Sequence, residues 1–149
     1  RRFEKVGIAR GITVIDDFAH NPAEIEAAMR AARKASSRCF FVYQPHGFGP
    51  TNFTKDQLVE VFSSVKDNEY LYLDEIYYGG GTVDKNICSK DLIEAVGTKV
   101  KNIFCPGSRD KIVDNIVEKA KTGDMVLVMG ARDVNKICPI ILSKIENKR

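Results

Sequence analysis

The stretch that decides the fold is Ile12-Thr13-Val14-Ile15-Asp16-Asp17-Phe18-Ala19-His20-Asn21-Pro22, a β-branched run that ends in two carboxylates before a proline opens the next element. Ile12, Val14 and Ile15 are apolar and stiff at χ1, which favours a buried strand. Asn21 suits a helix cap, Pro22 suits the first helical position where its missing N–H costs nothing, and Glu24 falls at the third. Ile25, Ala28, Met29 and Ala32 then recur at i, i+3, i+4 and i+7, one face of a helix. Residues 16–20 therefore form a tight strand-to-helix turn, the place where α/β proteins keep their chemistry.

Outward from this unit the pattern repeats. Residues 1–10 alternate loosely through Phe3, Val6 and Ile8, as an edge strand or entry segment, and Gly11 breaks them. Beyond the helix, which runs to about Ala35, Cys39-Phe40-Phe41-Val42-Tyr43 is a buried-strand run. Gln44-Pro45-His46-Gly47-Phe48-Gly49-Pro50 is dense in Gly and Pro and reads as loop. Thr54-x-x-Gln57 reads as a second capping box ahead of a helix burying Leu58, Val61, Phe62 and Val65.

Tyr70-Leu71-Tyr72-Leu73 is the next strand, followed by Asp74-Glu75 and a long loop with Gly79-Gly80-Gly81. Ser89 is expected to cap a short helix through Leu92, Ile93 and Val96 that Gly97 stops, and Ser108 a longer one after a strand at residues 102–105. Met125-Val126-Leu127-Val128-Met129 is the most apolar strand, and Gly130-Ala131-Arg132-Asp133 the last loop. The closing helix places Ile137, Ile140, Ile141 and Ile145 on one face, with Pro139 early enough to be tolerated. Strands alternating with helices predict βαβ units, a mainly parallel sheet and right-handed crossovers.

A chain of 149 residues with 44% hydrophobic and 29% charged residues is an ordinary single globular domain. The net charge of +3 arises from scattered residues of both signs and gives no argument for nucleic acid. No apolar run approaches the length of a membrane span, and no signal-peptide pattern is present. Cys39, Cys88, Cys105 and Cys138 form no Cys-x-x-Cys pair and read as free thiols of a reducing compartment. The chain opens at Arg1 without a methionine, as expected of a piece of something longer.

Both histidines of the sequence, His20 and His46, fall in loops after strands, on the edge where such sheets bind ligands. Plainer readings stand beside this. The Asp16-Asp17 pair suits a turn former, His20 a satisfied polar residue under the helix, and Tyr77 and Tyr78 packing at the rim. The glycines at 47 and 49 lack the Lys-Ser/Thr of a phosphate loop, and Gly79 to Gly81 lack dinucleotide spacing. No zinc-ligand spacing and no Ser-His-Asp or Cys-His order suggests itself. The residues alone thus define an α/β domain whose polar rim of Asp17, His20, His46 and Arg132 suits an anionic small molecule. They provide no complete catalytic apparatus and nothing to hold a triphosphate.

Taken together, Arg1-Arg2-Phe3-Glu4, Asp16-Asp17-Phe18-Ala19-His20-Asn21-Pro22-x-Glu24-Ile25, Gln44-Pro45-His46 and Gly130-Ala131-Arg132-Asp133 resemble the C-terminal domain of the Mur ligases, over essentially the whole chain. The resemblance implies a three-layer, Rossmann-like α/β domain spanning residues 1–149, with a sheet of about six strands and helices on both faces. It implies a cytoplasmic, ATP-dependent amide ligase of peptidoglycan synthesis, nearest its alanine-adding branch, which works through an acyl phosphate. An N-terminal domain for the UDP-sugar and a central P-loop domain for ATP and magnesium would complete it, so this domain alone is expected to be inactive.

By position, the resemblance assigns Asp17, His20 and Asn21 to the nucleotide, and His46, Gly47, Arg132 and Asp133 to the amino acid, with no metal ligand in this domain. One departure matters. In the alanine-adding branch Gln-Pro-His is usually followed by an arginine and, three residues on, by another that bind the amino-acid carboxylate; here Gly47 and Pro50 stand there, and neither pairs with a carboxylate. Either another cation such as Arg132 takes over or the nucleophile is a different amino acid or peptide. A non-catalytic small-molecule-binding module is the alternative of another class.

Overall fold

The computed structural model describes residues 1–80 and 85–149, so Gly81 of the triple-glycine run lies outside the described residues. β1 (Glu4–Ala9) pairs antiparallel with β2 (Ile12–Asp17), and α1 (Pro22–Ala35) follows from Asn21, whose Oδ1 accepts the Glu24 N–H at 2.9 Å. Next come β3 (Cys39–Tyr43), α2 (Phe48–Phe53), α3 (Lys55–Phe62), β4 (Tyr70–Leu73) and α4 (Ser89–Val96). β5 (Ile103–Phe104), α5 (Arg109–Lys119), β6 (Met125–Met129) and α6 (Ile137–Glu146) complete the chain. The strand order is β1-β2-β6-β3-β4-β5, parallel at every pairing except β1 with β2. The α/β, mainly parallel six-stranded sheet expected from the sequence is the one found.

Each face of the sheet carries its own core. Ile15, Phe41, Tyr43, Leu71, Leu73, Leu127 and Met129 pack under α1, α3 and α4. Val14, Phe40, Val42, Tyr72, Val126 and Val128 pack under α5 and α6. Alternate residues of one strand serve opposite faces, so β3 and β6 are buried along their whole length and read as unbroken apolar runs. Among the described residues no helix is long and apolar enough to cross a membrane.

Four local expectations are corrected. Residues 44–50 are not all loop, because α2 begins at Phe48. Thr54 makes no capping box; its hydroxyl donates to the Pro50 carbonyl at 2.8 Å, closing the end of α2 instead of opening α3. Ser89 is the first residue of α4, not its cap. It is fully buried and donates to the Asp74 carbonyl at 2.6 Å, while Asp91 accepts the N–H of the capping Cys88. In α6 Ile140 is exposed and Cys138 takes the inward place, because Ile137, Cys138, Ile141 and Ile145 follow the helix's own pitch. All four cysteines are free, and burial pushes the thiols of Cys39 and Cys138 up to about 11 and about 12, so both are inert at neutral pH.

Candidate functional site

The carboxyl ends of β2, β3, β4 and β6 bring the polar residues together along one edge. At the end of β2, Asp17 accepts two main-chain N–H bonds, from Ala19 to Oδ1 and from Phe3 to Oδ2, each at 2.8 Å. Its carboxylate is thus the pin of the strand-to-helix turn. His20 Nδ1 lies 3.2 Å from both the Phe18 carbonyl and Glu24 Oε1, two acceptors that place its proton on Nδ1 and leave Nε2 for the cleft. Asn21 uses its oxygen to cap α1 and keeps its amide N–H₂ as a donor.

Beyond β3 the chain stays zipped to the segment after β4. Tyr77 N–H donates to Pro45 O at 2.8 Å and Gly47 N–H to Tyr77 O at 2.9 Å, which sets the His46 and Tyr77 rings 5.4 Å apart. Arg132, in the loop after β6, lies over the Tyr77 ring of this pair. Its guanidinium carbon is 4.7 Å from the Tyr77 ring centre, and its Nη2 donates to the Tyr77 hydroxyl at 2.9 Å. His46 is held below its ordinary pKa by burial first, and then by the charges of Arg132 and His20, so its imidazole is neutral at pH 7.

The expected site residues divide among three hollows. His20, Asn21 and His46 converge on a cavity of about 340 Å³ with Tyr43, Pro50, Thr51 and Thr54. Arg132 and Asp133 line a neighbouring hollow with Tyr77 and Ala131. Asp17 opens onto a third, beside Phe3 and the alanines of α1, on the flank of the helix. Gly47 makes the turn between His46 and α2 with φ 86° and ψ 140°, a region closed to residues with a Cβ. A larger hollow of about 490 Å³ between α1 and α3 holds Glu26, Arg30 and Arg33, whose charges are paired as Glu26–Arg30 and Arg33–Glu69.

Two arginines to which the sequence reading gave no role hold the last loop in place. Arg1 pairs with buried Asp16 through Nε at 2.9 Å and Nη2 at 3.2 Å, and donates to the carbonyls of Gly130 at 2.8 Å and Arg132 at 3.0 Å. Arg109 bridges buried Asp74 and Asp133, each at 2.8 Å. Gln44 also donates to Asp133, at 3.4 Å. Hydrogen bonding to Arg109 keeps the Asp133 carboxyl below its ordinary range. A signal for Arg109 was present in the sequence: a cation in the first turn of a helix opposes the dipole and calls for a carboxylate partner.

A mainly parallel sheet with helices on both faces, and with His20, His46 and Arg132 beyond the carboxyl ends of its strands, makes this an α/β domain of the doubly wound type. More narrowly, the chain belongs to the Mur ligase family, as its glutamate ligase domain, whose profile matches residues 1–132. It is 38% identical over 148 residues to the UDP-N-acetylmuramate–L-alanine ligase of Clostridium acetobutylicum, covering 97% of this chain and 31% of that protein. To that of Pelotomaculum thermopropionicum it is 37% identical over 139 residues, covering 90% of this chain and 29% of the relative. The chain thus spans under a third of the length of the relatives it matches. In fold it is similar to a murein peptide ligase from Psychrobacter arcticus, with a TM-score of 0.76 at 23% identity over all of this chain and 30% of that one. The UDP-N-acetylmuramate–alanine ligase of Thermotoga maritima gives 0.75 at 18% identity, with the same coverage.

Proposed function

We propose that this chain is the amino-acid-binding domain of a cytoplasmic, ATP-dependent ligase of peptidoglycan synthesis that joins an amino acid, L-alanine in the first instance, to UDP-N-acetylmuramate. The observation that carries the reading is the convergence of His20, Asn21 and His46 on one cavity at the ligand-binding edge of a Mur ligase domain. In this reading Asp17, His20 and Asn21 face the nucleotide, and His46, Gly47, Arg132 and Asp133 face the amino acid.

The polar groups left free at the edge suit a nucleotide. In the cavity Asn21 offers an N–H₂ to donate and His20 the Nε2 lone pair to accept, while Asp17, in the hollow on the flank of α1, keeps oxygen lone pairs beside the two N–H bonds its carboxylate already accepts. Among the described residues no three carboxylate, histidine or cysteine side chains converge as metal ligands. In this proposal the phosphates and Mg²⁺ are held mainly by the central P-loop domain of a longer protein. ATP supplies the phosphoryl group that activates the substrate carboxylate as an acyl phosphate. The neutral His46 imidazole has a lone pair with which to take the proton that an ammonium loses before its nitrogen attacks. Closure of the other domains over this edge would exclude water from that step.

The test is ATP-dependent phosphate release by the full-length protein with UDP-N-acetylmuramate and a panel of amino acids. Release that depends on one amino acid supports the reading; release with none overturns it. Asp17→Ala and His46→Ala should each cut turnover strongly, and the 149-residue domain by itself should hydrolyse no ATP.

A further inference from the structure

His20 is held on several sides. The Tyr43 hydroxyl donates to its main-chain carbonyl at 3.0 Å, and the Phe18 ring stands edge-on to the imidazole with ring centres 5.3 Å apart. On the ring itself, Nδ1 lies 3.2 Å from the Phe18 carbonyl and 3.2 Å from Glu24 Oε1. Both are acceptors, so the proton sits on Nδ1, and the group left over is Nε2 with its lone pair. Of these holds Glu24 alone brings a carboxylate, and a charged acceptor makes the stronger bond. The start of α1 does not require that contact. Its cap is the bond from the Glu24 main-chain N–H to Asn21 Oδ1 at 2.9 Å, which survives a change of the Glu24 side chain, whereas the reciprocal bond from the His20 N–H to Glu24 Oε1 is long, at 3.4 Å.

The cavity that His20 lines is rich in acceptors. The hydroxyls of Tyr43, Thr51 and Thr54 have each committed their proton to a main-chain carbonyl, those of His20, Gly47 and Pro50, and they keep only lone pairs to offer. A ligand that satisfies these groups brings N–H or O–H donors. His20 Nε2 belongs to the same set only while its proton stays on Nδ1. With the proton moved to Nε2, Glu24 would lose its bond to the ring and the cavity would meet a donor instead. Glu24 itself lies outside the cavity, in the hollow beside Asp17, so it reaches a ligand there only through the imidazole.

We propose that Glu24 is a positioning residue: it holds His20 as the Nδ1–H tautomer, so that Nε2 accepts a hydrogen bond from an N–H of a bound substrate. This rests on the ligase reading above and deepens it, since it adds a residue outside the set assigned to either substrate. Two groups in that reaction carry such a donor, the amino group of the nucleophile and the exocyclic amine of adenine. The substrate whose KM responds to Glu24 identifies which of them His20 meets.

The test compares the full-length protein with its Glu24→Ala and Glu24→Gln variants, by nitrogen NMR of the imidazole rings and by ATP-dependent phosphate release. The His20 signals are assigned by their loss in His20→Gln. At about pH 9, above the ordinary histidine range, the wild type should carry the His20 proton on Nδ1 alone. Glu24→Ala should show a mixture of the two tautomers, because the Phe18 carbonyl is then the one acceptor left at Nδ1. It should also raise the KM for ATP or for the amino acid by about fivefold, the worth of one hydrogen bond, with kcat changed by less than about twofold. Glu24→Gln, whose amide oxygen still accepts, should recover most of both effects. A residue needed only for the start of α1 would lower stability and leave the tautomer as it is. A wild type protonated at Nε2, a Glu24→Ala ring still wholly protonated at Nδ1, or both KM values within about twofold of the wild type overturns the positioning role while leaving the ligase reading intact. A wild type with no amino-acid-dependent phosphate release overturns that reading, and the substrate contact of Nε2 with it; the tautomer is read without turnover, so the two failures are told apart.

Discussion

Arg109 grips Asp133 twice, with Nη2 at 2.8 Å from the carboxylate and Nη1 at 3.3 Å from the main-chain carbonyl, and its Nε holds Asp74 at 2.8 Å. One side chain from the start of α5 thus joins the end of β4 to the loop after β6. Arg109→Ala should lower stability by about 2 kcal/mol in denaturant unfolding, because it strands the buried Asp74 carboxylate without a partner. Asp133 sets the sign of the acid response. Its folded pKa is depressed, so its contribution is complete above the ordinary value of 3.8 and is lost as pH falls through the lower folded value. The variant should lose that part of the acid dependence in unfolding curves taken from pH 5 to pH 2.

His46 gives a second, local readout. Its titration, followed by the NMR shift of its ring C–H protons, should have a midpoint below the ordinary 6.5. Arg132→Ala should move the midpoint up but not fully back, because burial is the larger cause and remains. In stability terms, neutral His46 is favoured in the fold. That contribution is present above the unfolded value and is lost as pH falls from there through the folded one. An unchanged midpoint in the variant would show that Arg132 does not act on the imidazole.

Gly130 tests how tightly the last loop is packed. A Cβ there would lie 2.6 Å from Cγ1 of Val134 and 3.3 Å from Cβ of Gln44. Val134 is fully buried and β-branched, so its methyl has nowhere to turn. Gly130→Ala should cost about 2 kcal/mol by overpacking. Combined with Val134→Ala, the double variant should be less destabilised than the two losses added, since the second change vacates the space the first requires. Strict additivity in thermal and denaturant unfolding would count against the clash.

Gly47 tests the departure at the carboxylate positions. Its φ of 86° and ψ of 140° exclude a side chain, and a Cβ would also sit 3.1 Å from Pro50 Cδ. Gly47→Arg should therefore destabilise by about 2 kcal/mol and leave amino-acid affinity unimproved. Gly49, inside α2 with nothing within 4 Å of a Cβ, is the control, and Gly49→Ala should stabilise by about 0.5 kcal/mol.

Much of this architecture was legible from side-chain periodicity. β3 and β6 are buried on both faces, so their apolar runs admit little ambiguity, and the Asn21-Pro22-x-Glu24 start of α1 is local chemistry that tertiary contacts leave alone. What escaped was decided at a distance. α2 is short, and Gly49 and Pro50 argued against it, yet Thr51 and Thr54 close it by donating to the carbonyls of Gly47 and Pro50. Ser89 reads as a cap, but the Asp74 carbonyl, fifteen residues back, claims its hydroxyl. Tyr77 reads as rim packing until Arg132, 55 residues on, is found at its hydroxyl. The loops carrying His20, His46 and Arg132 followed from strand order alone, whereas their division among separate hollows depends on ring orientations that no spacing encodes.

The grip of Arg1 on Asp16 and on the carbonyls of Gly130 and Arg132 has a thermodynamic consequence. Two turns from opposite ends of the chain are locked before any guest arrives, so little backbone freedom is left to surrender on association. Affinity at this lip should then be governed by desolvation and contact quality, with a small entropic penalty from the host.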